Sequence, residues 1–131
     1  MDNLSLRLKD VREAGIYRLG CRLDELCAAV AEAGFVLFDV DLDVIEDKEK
    51  FIAVIAQAAR VPDWFGNNWD ALADTLSDLS WQPACGYVLL LRNDNGTLGL
   101  VAEDYNMAMG IFADTIVFWK SQNKPFWIFF C

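Results

Sequence analysis

Histidine is absent from this 131-residue sequence, and its four cysteines, Cys21, Cys27, Cys85 and Cys131, include no C-x-x-C pair. A zinc site would need an all-cysteine set gathered from scattered positions. Without histidine no Ser–His or Cys–His pair can generate a nucleophile, and no glycine-rich loop is present to cradle a phosphate. No catalytic residue, metal or cofactor is therefore expected. The cysteines read as small buried hydrophobes in a reducing compartment. No apolar run reaches the roughly 20 residues that span a bilayer. The opening residues, MDNLSLRLKDVREAG, lack the basic-then-apolar order of a secretory leader. Cytoplasmic residence is the resulting expectation.

Positive charge is the second scarcity. Eleven Lys and Arg face twenty Asp and Glu, for a formal charge of −9. Nucleic-acid phosphates and anionic membrane surfaces would repel such a chain, so neither is an expected partner. A basic protein is. Acidity also serves solubility, so total charge alone does not decide between a binding face and a solvated one. Apolar residues, by contrast, are plentiful: 55% of the chain is hydrophobic and 13% aromatic, well outside the disordered regime. A single domain of this length buries roughly 70% of its unfolded surface, enough for a core without disulfides.

Residues 1–14 are mixed and polar and read as a loosely held arm, with Gly15–Leu19 as a short strand. Asp24–Ala33 has helical spacing, and Gly34 is a natural stop. Phe35–Val40 is a strand apolar enough to be covered on both faces. Asp47–Ala59 reads as a helix with Phe51, Val54, Ile55 and Ala58 on one stripe, and Pro62 then breaks the chain. Gly86–Leu91 is a second buried strand, and Asn93–Gly96 is turn chemistry. A long helix over 103–121 and a closing strand, Phe126–Phe130, complete the pattern. Strands separated by helices of a dozen residues predict an α/β fold, a small parallel sheet of three or four strands covered by helices.

The remaining stretch, VPDWFGNNWDALADTLSDLSW (61–81), predicts a helix running to about Leu79. Trp69, Leu72, Leu76 and Leu79 recur at the core-facing period. Asp70, Asp74 and Asp78 stand one turn apart and form an acidic column, with Ala73 and Ser77 on the same ridge. Asp70 suits the positive end of the helix dipole, but Asp74 gains little from it and Asp78 falls near the negative end. No Lys or Arg lies between Val61 and Trp81 to offset them. Such local conflict often marks function. Asn67 and Asn68 read as turn formers and caps. Of Trp64 and Phe65, one is expected to staple the helix start and the other to serve as an exposed aromatic anchor.

VPDWFGNNWDALADTL, with Pro83 downstream, resembles the signature of the barstar-type ribonuclease inhibitors. In that family a Pro-x-aromatic-aromatic-Gly-x-Asn-x-Asp-Ala-Leu core opens the inhibitory helix. The match is ungapped from Val61 to about Pro83 and weaker from Phe35 to Phe130. Residues 1–34 look like an N-terminal extension of a barstar-like domain over 35–131. The resemblance implies an intracellular antidote to a basic, guanyl-specific microbial ribonuclease, with carboxylates standing where RNA phosphates bind. It assigns Asp74 to the catalytic phosphate pocket, Asp70 to the place one turn earlier, and Trp64 and Asn68 to the interface, while Ala73, Ser77 and Asp78 complete the expected contact surface. Ala73 and Leu79 fall where the archetype has aromatics. Its third interface acid, on the later helix, aligns with Phe118, with Asp114 one turn away.

An alternative reading is a barstar-like module that holds a different basic toxin or a non-nuclease basic protein. An enzyme using Asp70 and Asp74 as an acid/base pair would need a cleft that drives their pKa values apart, and nothing in the sequence indicates one. Carboxylates at i and i+4 rarely complete a cation's coordination shell by themselves.

Overall fold

Helix stop and start signals are used where the sequence places them. The computed structural model describes residues 4–62 and 66–131. Helix α1 spans Leu4–Leu8, strand β1 Ile16–Arg18, helix α2 Leu23–Ala33 and strand β2 Val36–Asp41. Gly34 ends α2 in the left-handed conformation (φ 76°), where a side chain would be strained. Helix α3, Lys48–Ala59, opens on Asp47, whose side chain accepts from the Lys50 N–H. Arg60 closes it at φ 55°, ahead of Pro62. Helix α4, Trp69–Leu76, strand β3, Tyr87–Arg92, helix α5, Ala102–Ser121, and strand β4, Phe126–Phe130, complete the chain.

The sheet is four-stranded and parallel throughout, in the order β1-β4-β3-β2. Val36 pairs with Tyr87, Tyr87 with Phe126, and Ile16 with Ile128. Alternation along each strand then separates two cores. Phe38, Val40, Leu89, Leu91, Phe126 and Ile128 meet α3, α4 and α5 on one face. Val88, Leu90, Trp127 and Phe129 meet α1 and α2 on the other. Burial on both faces explains why VLLL and FWIFF are unbroken apolar runs rather than alternating ones. None of the helices over the described residues is long and apolar enough to cross a membrane.

Tryptophan indoles tie the helices to this frame at a recurring place. Trp127 Nε1 donates to the Leu8 carbonyl, Trp81 Nε1 to that of Ala59, and Trp119 Nε1 to that of Leu76, at 2.7–2.9 Å. Leu8, Ala59 and Leu76 are the last residues of α1, α3 and α4. A helix leaves its final carbonyls without an internal partner, and here an indole N–H takes one of them each time.

Two expectations are overturned. Residues 4–8 are not a loose arm but a helix whose Leu8 is fully buried and hydrogen-bonded to Trp127. The arm's polar composition hid a docking contact carried by Leu8, with Leu4 packed beside it. The cysteines are not buried hydrophobes either: Cys27 and Cys85 are exposed, and Cys21 and Cys131 are half-buried. Cys27 lies on the outer face of α2, and Cys85 in the polar turn before β3.

The loop between β3 and α5 is held by backbone conformation. Gly99 has φ 71°, and a Cβ there would collide with the Ile45 carbonyl oxygen; Gly96 has φ 97° but open space around it. Gly99→Ala is expected to cost more than about 2 kcal/mol, against about 1–2 kcal/mol for Gly96→Ala. Chemical denaturation of the two variants measures the difference, and equal costs would exclude the steric account.

Candidate functional site

The loop and helix over residues 66–79 carry the acidic column. Asn68 is the N-cap of α4: its side-chain oxygen accepts from the Ala71 N–H at 2.8 Å. Asn67 Nδ2 donates to the Glu49 carbonyl at 3.2 Å and so ties the same turn to α3. Leu72, Leu76 and Leu79 are buried, and Trp69, half-buried, sets its ring 6.1 Å from that of Phe51. The apolar stripe faces the core as its spacing predicts.

The helix is shorter than expected. It ends at Leu76 rather than Leu79, with Ser77 as C-cap and Leu79 at φ 51°. Continuing the helix would direct the Leu76 carbonyl to the Ser80 N–H; the Trp119 indole takes it instead, at 2.7 Å. The left-handed turn lets Leu79 stay buried without further helix. Asp78 therefore lies in the turn just after α4 and does not extend the column as a helical residue, though it still stands beside the negative end of the helix.

Asp70 and Asp74 remain, both exposed and one turn apart on α4, with Asp78 exposed beyond them. No ion pair among the described residues includes any of the three; Arg7, Arg12, Arg18, Arg22 and Arg92 pair with Glu13, Asp10, Asp94, Asp24 and Asp39. Ser77 is half-buried. Ala73 is half-buried too and packs against the core, so it belongs less to the ridge than its spacing suggests. Asn68 is exposed beside its cap bond. Trp64, the expected interface aromatic, lies outside the described residues, as does Phe65.

Helix α5 carries the flank on which the resemblance placed Phe118 and Asp114, beside a groove that the sequence did not reveal. Asp114 and Phe118 are both exposed, one turn apart on the same flank. Asp114 also lines a shallow groove with Glu103, Asn106, Met107, Gly110 and Ile111. Met107 is 48% exposed. The signal was available in the spacing Glu103, Met107, Gly110, Asp114, but apolar residues on both sides of α5 obscured it. Neither Glu103 nor Asp114 has an ion-pair partner among the described residues. Among those residues no group of three or more His, Cys, Asp or Glu is placed to hold a metal ion.

A family model described as Barstar (barnase inhibitor) matches residues 35–131. The chain belongs to the barstar family. The matched region holds β2, α3, α4, β3, α5 and β4, hence the whole acidic surface just described, whereas α1, β1 and α2 precede it. No curated protein matches the chain significantly. Barstar is an inhibitor family, which sets this chain among ribonuclease-inhibitor-like proteins.

Thr75 separates stability from binding on α4. Its side chain is buried, and its hydroxyl has no hydrogen-bond partner among the described residues. Thr75→Val is expected to leave stability unchanged or raise it by up to about 1 kcal/mol, because an unsatisfied polar group is removed at nearly constant volume. Trp119→Phe is expected to cost about 1–3 kcal/mol, because it leaves the Leu76 carbonyl unpaired. Denaturation midpoints check both, and an unaffected Trp119→Phe protein would exclude the indole as the stop of α4.

Proposed function

We propose that this protein inhibits a basic, guanyl-specific microbial ribonuclease by laying α4 and its preceding loop across the enzyme's active site. The observation that carries the reading is the pair Asp70 and Asp74, exposed, without ion-pair partners among the described residues, on a helix fixed at both ends. A ribonuclease gathers cations around the scissile phosphate, and carboxylates about 6 Å apart on a helix edge complement that field. In this reading Asp74 occupies the phosphate pocket, Asp70 stands one turn earlier, and Trp64, Asn68, Ala73, Ser77 and Asp78 contribute surrounding contacts. Asp114 on α5 supplies acidity where the archetype has its third interface acid, since Phe118 holds the aligned position. The charge of −9 steers the encounter. The inhibitor acts in the cytoplasm, as an antidote to a nuclease the cell must survive.

Residues 1–34 serve in this proposal as an extension that stabilises the barstar-like unit over 35–131. Support comes from the position of α1 and α2 against the sheet face opposite α4.

A second reading, a barstar-like module for a different basic toxin or a non-nuclease basic protein, is favoured by two positions. Ala73 and the buried Leu79 stand where the archetype has aromatics, so contact area near Asp74 is smaller.

Titration of RNA cleavage by a barnase-type ribonuclease tests the first reading. Stoichiometric inhibition is expected, and Asp74→Ala should weaken it by several kcal/mol. Close charge pairs in the barnase–barstar complex itself couple by about 1.5–7 kcal/mol, which sets the scale. Stability should move by no more than about 0.5 kcal/mol, as for an exposed side chain. Inhibition by the variant equal to that by the wild type would remove α4 from the interface; no inhibition by either protein would favour the second reading.

A further inference from the structure

The positive charge of this acidic chain is concentrated at its start. Residues 1–22 hold five of the eleven basic residues and three of the twenty acidic ones. The described part, residues 4–22, folds into α1, on the sheet face opposite α4, the edge strand β1 and the turns that flank them. A pocket of about 290 Å³ opens there. Its apolar wall is aromatic: Tyr17 lies 5.6 Å from Trp127, and the Trp127 and Phe129 rings stack at 5.7 Å with 8° between their planes. The wall is rigid, because Trp127 Nε1 is held by the Leu8 carbonyl at 2.8 Å and the Tyr17 hydroxyl by that of Glu13 at 2.6 Å. Arg7 and Arg18 also line the pocket. Their guanidinium groups are mostly in solvent and only loosely engaged: Arg7 is 3.4 Å from Glu13, and Arg18 4.0 Å from Asp94. A strong pair of this kind closes to about 2.8 Å.

We propose that this pocket binds a small organic anion, a flat aromatic ring joined to a phosphate or a carboxylate. The ring lies along Tyr17, the exposed member of the aromatic wall (45%), which the buried Trp127 and Phe129 back, and the anionic group takes donors from Arg7 and Arg18. Pockets that bind small molecules combine an apolar lining with a few convergent polar groups, and this one has both. Aromatic faces accept a planar ring with little loss of side-chain entropy, and Arg recognises carboxylate and phosphate in the same forked geometry. The surrounding acidity sharpens the choice, since across the rest of the molecule acids outnumber bases and an anion would be repelled. All the lining residues except Trp127 and Phe129 precede the family-matched region, so the site belongs to this chain's extension.

The test is a titration of the full chain followed by the Trp127 indole N–H and the Gly20 amide in ¹⁵N–¹H spectra. Adenosine 5′-monophosphate and indole-3-acetate are the probes, with inorganic phosphate as a third. Saturable shifts with a midpoint at or below about 1 mM are expected from at least one organic probe. The midpoint should rise roughly tenfold or more in R7Q/R18Q, the factor expected when charge-assisted bonds are lost. Both positions are exposed, and a thermal melt verifies that the variant is folded. Saturation by the nucleotide alone identifies nucleotides as the ligand class, and saturation by indole-3-acetate alone identifies aromatic carboxylates. Absence of saturation by both, an unchanged midpoint in R7Q/R18Q, or equal binding of inorganic phosphate would each overturn the proposal.

Discussion

The indole–carbonyl bond between Trp119 and Leu76 is the contact on which the acidic surface depends. It fixes where α4 stops, and it does so from α5, a different element, so the two helices are held in one register. A buried carbonyl left unpaired would cost about 1–3 kcal/mol, so the chain is strongly biased toward the arrangement that satisfies it. Trp81 repeats the device at the end of α3, and Trp127 at the end of α1. Three helix ends, which would otherwise fray in solvent, are drawn into the protein by a side chain whose other atoms are apolar. Indole suits the task because one end of the ring system is a donor and the remainder packs as hydrocarbon.

The architecture separates two kinds of surface. A parallel sheet must be covered on both faces, and here the two coverings come from different parts of the chain. The layer formed by α3, α4 and α5 lies within the barstar match and carries acids that have no ion-pair partner among the described residues. The layer formed by α1 and α2 precedes that match, and the segment leading into it gathers basic residues. Ion pairs Arg7–Glu13, Arg12–Asp10 and Arg22–Asp24 are all local to the N-terminal part. Three of the five early cations thus pair with acids close by in sequence, and among the described residues none of the five pairs with an acid on α4. A single chain can then be strongly acidic on one side of its sheet without excess negative charge everywhere.

Most of the fold was legible in the sequence because its signals were local. Gly34, Asp47 and Asn68 mark helix ends through backbone and capping chemistry that acts over three or four residues. The strands were legible as unbroken apolar runs between turn residues. What escaped was decided at a distance. The end of α4 depends on an indole 43 residues further along the chain, and the docking of α1 on one 119 residues away. The cysteines failed for a different reason: composition gives a residue type's average burial, not which helix face Cys27 occupies. Of the candidate site, Asp70, Asp74 and the Asn68 cap were placed correctly on or at α4, while Asp78 was displaced into the turn. The α5 groove was obscured because a helix with apolar residues on two sides has no clear period to read.

A helix that carries two adjacent like charges faces a conflict, and the magnitudes show why it holds. Repulsion between Asp70 and Asp74 costs a few tenths of a kcal/mol. Against it stand the Asn68 cap, at about 1 kcal/mol, and the burial of Leu72, Leu76 and Leu79, at about 1.5–3 kcal/mol each. The apolar face therefore outweighs the acidic one by an order of magnitude. This margin leaves the exposed column free of the demands of helix stability, which is what the proposed inhibitory role requires. In that proposed role the bonds at both ends of α4 hold the carboxylates in place, so they need not be ordered at the moment of binding. Rigid presentation of charge removes part of the entropic cost of association. Eight residues suffice for that purpose, because both ends of the helix are fastened by bonds that a longer free helix would lack.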